Sequence, residues 1–185
     1  LGTAGDPEHE PLEWLTVDAP ATHTGKAAFA DDNGSASCTA GNERSASWWM
    51  DTPEIIVPDD ASFLSFTHFM QSEAGYDGGN LKYSVDGAAF AVVPAAAFTY
   101  NGHSGRFSNA MTPTTPTGNN TNPLAGQVAW TGSDQGEATG SWGTTVVDIA
   151  QLSAAKDSKI KFRWEFGQDG CGCNLGWFVD DTQVF

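Results

Sequence analysis

Apolar and polar residues alternate along several short stretches of the chain. The clearest is "KIKFRWEF" at residues 159–166, in which large apolar residues occupy every second position and Lys, Arg and Glu stand between them. A period of two predicts a half-buried antiparallel strand. Similar patterns predict further strands at residues 62–70, 80–85, 89–93, 143–149 and 176–185.

Clusters of Gly, Asn, Asp and Pro separate these strands, and helix signals are weak. Helix formers group at residues 148–158, which is short enough for a single turn. Residues 111–122, "MTPTTPTGNNTN", predict an exposed loop. The pattern predicts an all-β fold, an antiparallel β-sandwich of jelly-roll type, with an extended lead-in at residues 1–11 and a single domain at residues 12–185.

The chain is strongly acidic. It has 8 Lys plus Arg against 23 Asp plus Glu, a formal net charge of −15. Such a surface repels nucleic-acid phosphates and anionic membranes, and no apolar run approaches the roughly 18 residues of a spanning helix, so we expect neither nucleic-acid binding nor membrane insertion. An acidic surface also favours gathering carboxylates around a divalent cation, which makes Ca²⁺ a candidate cofactor.

The composition, rich in Gly and Thr and poor in Lys, is typical of a secreted, extracellular bacterial β-protein. The first residues, "LGTAGDPEHEP", lack the basic and apolar regions of a signal peptide. We therefore expect a segment cut from a longer precursor.

Three cysteines are present: Cys38, Cys171 and Cys173. The "CGC" spacing does not match common zinc sites. In an oxidising compartment Cys38 is expected to pair with Cys171 or Cys173, which closes a long loop worth about 4 to 5 kcal/mol in the chain-entropy model. A bridge within "CGC" and three free thiols are the alternatives.

The stretch "SEAGYDGG" places Glu73 and Asp77 between two predicted strands. A loop there can fold carboxylates and backbone carbonyls around a hard cation such as Ca²⁺. The alternative is a solvated hairpin connection whose glycines supply positive φ. Asp169 follows the strongest strand and either completes an acidic cluster or forms an Asp-Gly turn.

Asp180 and Asp181 are adjacent on the last predicted strand. Alternation puts them on opposite faces, so only one can point at a given ion, and a buried carboxylate there needs a partner or a cation. The alternative is an edge strand that carries acids against aggregation. His68 is in phase with Leu64 and Phe66, which favours a hydrogen-bonded core histidine over a ligand or base.

Sequence signatures of common enzymes are missing. There is no His-Glu-x-x-His, no Gly-x-Ser-x-Gly and no phosphate-binding glycine loop. A glycosidase needs two carboxylates about 5 to 10 Å apart, and nothing in the sequence brings Glu73, Glu137 and Glu165 together. A carbohydrate-active jelly-roll enzyme, either a glycoside hydrolase or a polysaccharide lyase, remains the alternative to a non-catalytic module.

Exposed aromatic rings can stack on sugars, and the chain has seven tryptophans. The candidates for a glycan platform are Trp48, Tyr100, Trp130 and Trp142. For any single tryptophan core packing is the commoner role, and adjacent Trp48 and Trp49 must face opposite ways in a strand.

Several motifs occur in a characteristic order: Phe-x-His at 66–68, Glu73, Asp-Gly-Gly at 77–79, Ser-x-Asp-Gly at 84–87 and "GWFVDD" at 176–181. Over about residues 14–185 the chain resembles MAM-like, galactose-binding-like jelly-roll modules of secreted bacterial proteins, notably the accessory domains of immune-inhibitor-A-like and fungalysin-like metallopeptidases. The long Thr/Pro/Asn loop and "CGC" depart from that pattern.

The resemblance implies a non-catalytic module that serves adhesion, glycan contact or stabilisation of a parent protein. It also implies a calcium ligand at Asp180 or Asp181, with Asp31 and Asp32 contributing from the N-terminal side. We therefore predict that Glu73, Asp77 and one of Asp180 and Asp181 hold Ca²⁺. The expected protein is a monomeric module of a longer chain whose partner is a glycan or an extracellular protein surface.

Overall fold

The computed structural model describes residues 3–4, 12–20, 22–32, 45–59, 62–107, 120–133, 140–169, 172 and 174–185. These residues are nearly all β, with short 3₁₀ turns at Ala95–Ala97 and Ile149–Leu152. The strands, in chain order, are β1 (Thr3–Ala4), β2 (Leu15–Asp18), β3 (Lys26–Asp31), β4 (Ala46–Asp51), β5 (Ile55–Ile56), β6 (Phe63–Gln71), β7 (Gly78–Val85), β8 (Ala91–Val92), β9 (Phe98–Tyr100), β10 (Gly105–Arg106), β11 (Val128–Thr131), β12 (Trp142–Asp148), β13 (Lys159–Gln168) and β14 (Gly176–Val184).

Two antiparallel sheets pack face to face as a sandwich. The first has the order β1-β4-β13-β7-β11-β10, with β5 beside β13 and β8 beside β7. The second has the order β2-β3-β14-β6-β12-β9. Successive long strands alternate between the sheets, as in a jelly roll: β6 is followed by β7, β12 by β13, and β13 by β14. The predicted fold class is confirmed.

The buried face of strand β13 shows why the two sheets pack together. Its residues Ile160, Phe162, Trp164 and Phe166 are at most 1% exposed and face the core between the sheets. The opposite sheet contributes residues such as Trp177, which is fully buried in the same cluster. Burying each large apolar side chain stabilises the fold by about 1.5 to 3 kcal/mol, so the period of two is sufficient to orient the strand.

The other predicted elements agree with the structure to different degrees. The strands predicted at 62–70, 80–85, 143–149 and 176–185 correspond to β6, β7, β12 and β14. The segment 89–93 reduces to the two residues of β8. The predicted single turn within 148–158 is confirmed as a 3₁₀ turn, where Asp148 Oδ1 accepts a hydrogen bond from the N–H of Ala150 at 3.0 Å.

Two predictions fall wholly or partly on residues outside the described ranges. Most of the polar loop at 111–122 lies outside the described residues, and the division into a lead-in at 1–11 and one domain at 12–185 stays a prediction. Among the described residues, no helix has the length and hydrophobicity to cross a bilayer.

Candidate metal centre

The connection between β6 and β7 folds back on itself. The backbone N–H groups of Tyr76 and Asp77 donate to the carbonyl of Glu73 at 3.1 and 2.9 Å. The hydroxyl of Ser72 donates to the carbonyl of Asp77 at 2.8 Å. This tight turn holds the two acids of the connection at one end of the sandwich.

Neighbouring segments fix this turn in place. The hydroxyl of Thr131, at the end of β11, accepts from the N–H of Gly75 at 2.7 Å and donates to the carbonyl of Asp77 at 2.7 Å. The side-chain amide of Asn122 donates to the carbonyl of Tyr76 at 2.7 Å. Polar side chains from two other segments therefore hold the backbone that carries the acids.

Asp77 is the buried centre of the cluster. It is 1% exposed, and its Oδ1 accepts a hydrogen bond from the N–H of Asp169, directly after β13, at 2.7 Å. Its Oδ2 is buried with no hydrogen-bond donor among the described residues. Three carboxylate oxygens, one each from Glu73, Asp77 and Asp169, lie within 4.8 Å of one another. At this spacing one cation can contact all three.

Asp32 adds a fourth carboxylate from the end of β3. It is 2% exposed, and its Oδ2 accepts from the N–H of Asn174 at 3.1 Å. Its Oδ1 is buried and also has no donor within the described part of the chain. The charges of Glu73 and Asp169 are close enough to act on its pKa.

The electrostatics of this cluster disfavour four bare negative charges. Burial raises the pKa of Asp77 and of Asp32 well above the usual carboxyl range, and the neighbouring carboxylates raise both pKa values further. Burial also raises the pKa of Glu73, with a contribution from Asp169, and partial burial raises the pKa of Asp31 beside the cluster. A divalent cation would remove both causes, since it replaces lost hydration and offsets the repulsion.

Asp180 and Asp181 do not join this cluster, which corrects the predicted ligand set. The cluster lies near Gly176, which pairs with Asp31, and Asp180 is four residues further along β14, or about 13 Å at the rise of a strand. Asp180 and Asp181 lie instead with His23, and a ligand atom from each of the three falls within 4.8 Å of the others.

The expectation that only one of these two acids can face a given group is also wrong. The register between β14 and β6 shifts between Asp180 and Gln183, and Asp181 has a φ of 49°. This bulge interrupts the alternation, so both carboxylates turn toward the same imidazole.

Two of the four residues predicted to form an aromatic platform are buried. Trp48 is fully buried and Trp130 is 3% exposed, because both rings pack in the core between the sheets. Trp142 is half-buried under His23, and Tyr100, at 66% exposure, is open to solvent. The burial of Trp48 and Trp130 removes them as stacking surfaces for a sugar.

His68 is a core histidine, as predicted. Its Nδ1 accepts from the indole N–H of Trp177 at 3.1 Å, and its Nε2 lies 3.0 Å from the hydroxyl of Thr145. Burial, with a smaller contribution from His103, lowers the pKa of His68 to about 3, so the ring is neutral. The hydrogen bonds satisfy both ring nitrogens inside the core.

Glu73 and Glu165, the two described acids among those considered for glycoside hydrolysis, have other partners. Glu165 accepts from Lys82 Nζ at 2.6 Å and from the hydroxyl of Ser47 at 3.2 Å. Glu73 belongs to the acidic cluster, and Glu137 lies outside the described residues. Glu165 is thus held in an ion pair.

The cysteines Cys38, Cys171 and Cys173 also lie outside the described residues. The backbone between the last two does reach the cluster, because a methyl group at Gly172 would overlap the carboxylate of Glu73. The sequence analysis did not predict this contact, although Gly172 lies only three residues after Asp169 in the chain.

The fold and this site together define an antiparallel β-sandwich with a buried acidic cluster where the strands β3, β7 and β13 meet their loops. No protein-family model matches the chain, and no curated protein matches it. Among solved structures it is similar to the K3 cleaved adhesin domain of Lys-gingipain from Porphyromonas gingivalis, with 16% identity and a TM-score of 0.41. That alignment covers 100% of this chain and 90% of that one.

Proposed function

We propose that this chain is a non-catalytic, calcium-stabilised binding module of MAM-like type in a larger secreted protein. The observation that carries the proposal is a pair of buried carboxylates, Asp77 and Asp32, each with one oxygen that no described donor satisfies, set among like charges. An unsatisfied buried carboxylate oxygen is costly, and a coordinated cation removes that cost.

The donor set suits Ca²⁺ in particular. Glu73, Asp77 and Asp169 each offer a carboxylate oxygen, Asp32 lies beside them, and Ca²⁺ takes six to eight oxygens in flexible geometry. Mg²⁺ demands near-octahedral geometry and keeps several waters, which suits a site of several buried carboxylates less well. Extracellular calcium modules bind with affinities of about 10⁻⁴ to 10⁻³ M, so a secreted protein would be loaded.

The role of the ion in this proposal is structural. Glu73 and Asp77 come from the loop between β6 and β7 and Asp169 follows β13, so one cation links segments that are far apart in the chain, while the charge of Asp32 at the end of β3 acts on the same group. Linking them fixes the loops at this end of the sandwich. We propose that the fixed loops and exposed residues such as Tyr100 contact a glycan or a protein at the extracellular surface.

Thermal unfolding of the chelator-stripped chain tests the calcium site. Free Ca²⁺ at about 10 mM, roughly 10 to 100 times such a Kd, stabilises by about 1.4 to 2.7 kcal/mol, which raises Tm by about 3 to 10 °C in a domain of this size. Native mass spectrometry should show the bound ion. An equal Tm in chelator and in millimolar Ca²⁺, with no calcium retained, would contradict the proposal.

A further inference from the structure

The group formed by His23, Asp180 and Asp181 lies apart from the acidic cluster and has a different chemistry. His23 belongs to the segment between β2 and β3, and its ring stacks on Trp142 with centroids 4.2 Å apart and an interplanar angle of 24°. The indole N–H of Trp142 donates to the carbonyl of Pro20 at 2.8 Å. The imidazole is therefore held in one orientation against the outer face of the second sheet.

The two carboxylates reach this imidazole from the bulge in β14. His23 Nε2 is 2.9 Å from Asp180 Oδ2 and 3.8 Å from Asp181 Oδ2. A tetrahedral zinc ion with ligands at about 2.0 to 2.2 Å separates its ligand atoms by about 3.3 to 3.5 Å. The observed separations bracket that value, so small side-chain rotations bring the three atoms to zinc distances.

The group is open to solvent on one side. The side chains of His23, Asp180 and Asp181 are 19%, 28% and 67% exposed. An ion held by three protein atoms here would keep a further position open to water.

We infer that His23, Asp180 and Asp181 form a second metal site that takes a transition-metal ion of the Zn²⁺ class. The imidazole nitrogen distinguishes this site from the oxygen-only cluster around Asp77, because imidazole suits Zn²⁺ and related ions whereas Ca²⁺ prefers oxygen. Two carboxylates and one imidazole nitrogen form a donor set with a net negative charge, which a divalent ion neutralises. The inference is independent of calcium at the first cluster.

Zinc titration of the full chain by calorimetry tests this site, with millimolar Ca²⁺ present and the thiols alkylated so that cysteine does not compete. We expect one equivalent of Zn²⁺ to bind. His23→Ala and Asp181→Asn should each weaken binding by more than about 100-fold, the upper range for residues that only support a ligand. Glu54→Gln, in the exposed pair with Lys159, is the matched control and should bind Zn²⁺ as the wild type does.

Nitrogen-15 NMR of the wild-type histidines gives a readout that needs no variant. Zn²⁺ should shift the Nε2 resonance of His23 and leave those of the buried His68 and His103 in place. Absence of zinc binding by the wild type, or full retention of binding by His23→Ala, would overturn the inference. A zinc-induced shift confined to other histidines would overturn it as well.

Discussion

Asp77 and Asp169 are joined by a hydrogen bond of 2.7 Å from the N–H of Asp169 to Asp77 Oδ1, although 92 residues separate them in the chain. The bond connects the end of β13 to the loop between β6 and β7. It satisfies Oδ1 of Asp77, whereas Oδ2 is buried with no donor among the described residues. The acidic cluster thus exists as a unit only in the folded sandwich.

Asp77→Asn should abolish the stabilisation by calcium. The amide keeps an oxygen for the N–H of Asp169 but removes the charge that a cation needs, so the effect falls on ion binding rather than on packing. We expect the increase in Tm with Ca²⁺ to disappear, and the calcium-free variant to be at least as stable as the calcium-free wild type. Glu54→Gln, at an exposed pair with Lys159, is the control. A wild-type response to Ca²⁺ in Asp77→Asn would contradict the assignment.

The raised pKa of Asp77 predicts the pH dependence of the calcium-free protein. The ordinary value is 3.8, so from about pH 4 upward the unfolded chain loses a proton that the folded protein retains, and stability falls as pH rises toward the raised pKa. His68 acts in the opposite direction, because its pKa is lowered from 6.5 to about 3 and its contribution to stability is lost as pH falls through that window.

Comparing wild type with Asp77→Asn in chelator, by denaturant unfolding from pH 4 to pH 8, separates the two effects. The difference in unfolding free energy should grow in favour of the variant as pH rises. With Ca²⁺ present the wild type should instead gain from rising pH, because calcium binds the deprotonated carboxylates. A difference that does not change with pH would show that Asp77 titrates normally.

The alternation of residues predicted the long strands, and the reason is visible in β13. Ile160, Phe162 and Trp164 are large and adjacent on one face, so burial alone orients the strand. Short pairings such as β5, with residues Ile55–Ile56, carry too few apolar positions for a pattern, and their neighbours decide their structure.

The site was predictable in part. Glu73 and Asp77 lie in one loop, so their proximity follows from local sequence, and their grouping with Asp169 depends on β7 pairing with β13. Asp180 is separated from that group by its distance along β14. An alternating pattern indicates on which face of a strand a residue lies, but not which residues of other segments it meets there. A bulge with a non-glycine residue at positive φ has no pattern signal, and this is why the meeting of Asp180, Asp181 and His23 was missed.

A disulfide from Cys38 to Cys171 or Cys173 stays a prediction of the sequence, since all three cysteines lie outside the described residues. Asp32 and Asn174 are hydrogen-bonded at 3.1 Å, so the stretches that carry the cysteines begin at adjacent points. We expect one free thiol per unfolded, unreduced chain, and a loss of about 2 to 5 kcal/mol of stability on reduction. Thiol titration and non-reducing peptide mapping check this, and three titratable thiols would exclude the bridge.

Lys82→Met should destabilise the sandwich strongly. Lys82 Nζ is 2.6 Å from Glu165 Oε2, and the two side chains are 13% and 9% exposed, so the variant leaves a nearly buried carboxylate without its cation. We expect a loss of about 3 to 5 kcal/mol, largely recovered when Glu165→Leu is added.

Chemical denaturation of the single and double variants measures both effects. Lys26→Met, in the exposed pair with Asp18, is the matched control and should change stability by less than about 1 kcal/mol. Equal small losses at both lysines would show that Glu165 is solvated.

Gly172→Ala should weaken calcium binding beyond its effect on the backbone. Gly172 has a φ of 82°, and an added methyl group would overlap the carboxylate of Glu73, which has to move away from the cluster. Gly87→Ala is the matched control, since Gly87 has a φ of 80° and open space around it. Both variants should lose about 1 kcal/mol or more from left-handed strain. Calcium titration by calorimetry should show a raised Kd for Gly172→Ala alone, and an equal Kd in both variants would mean that Glu73 is not a ligand.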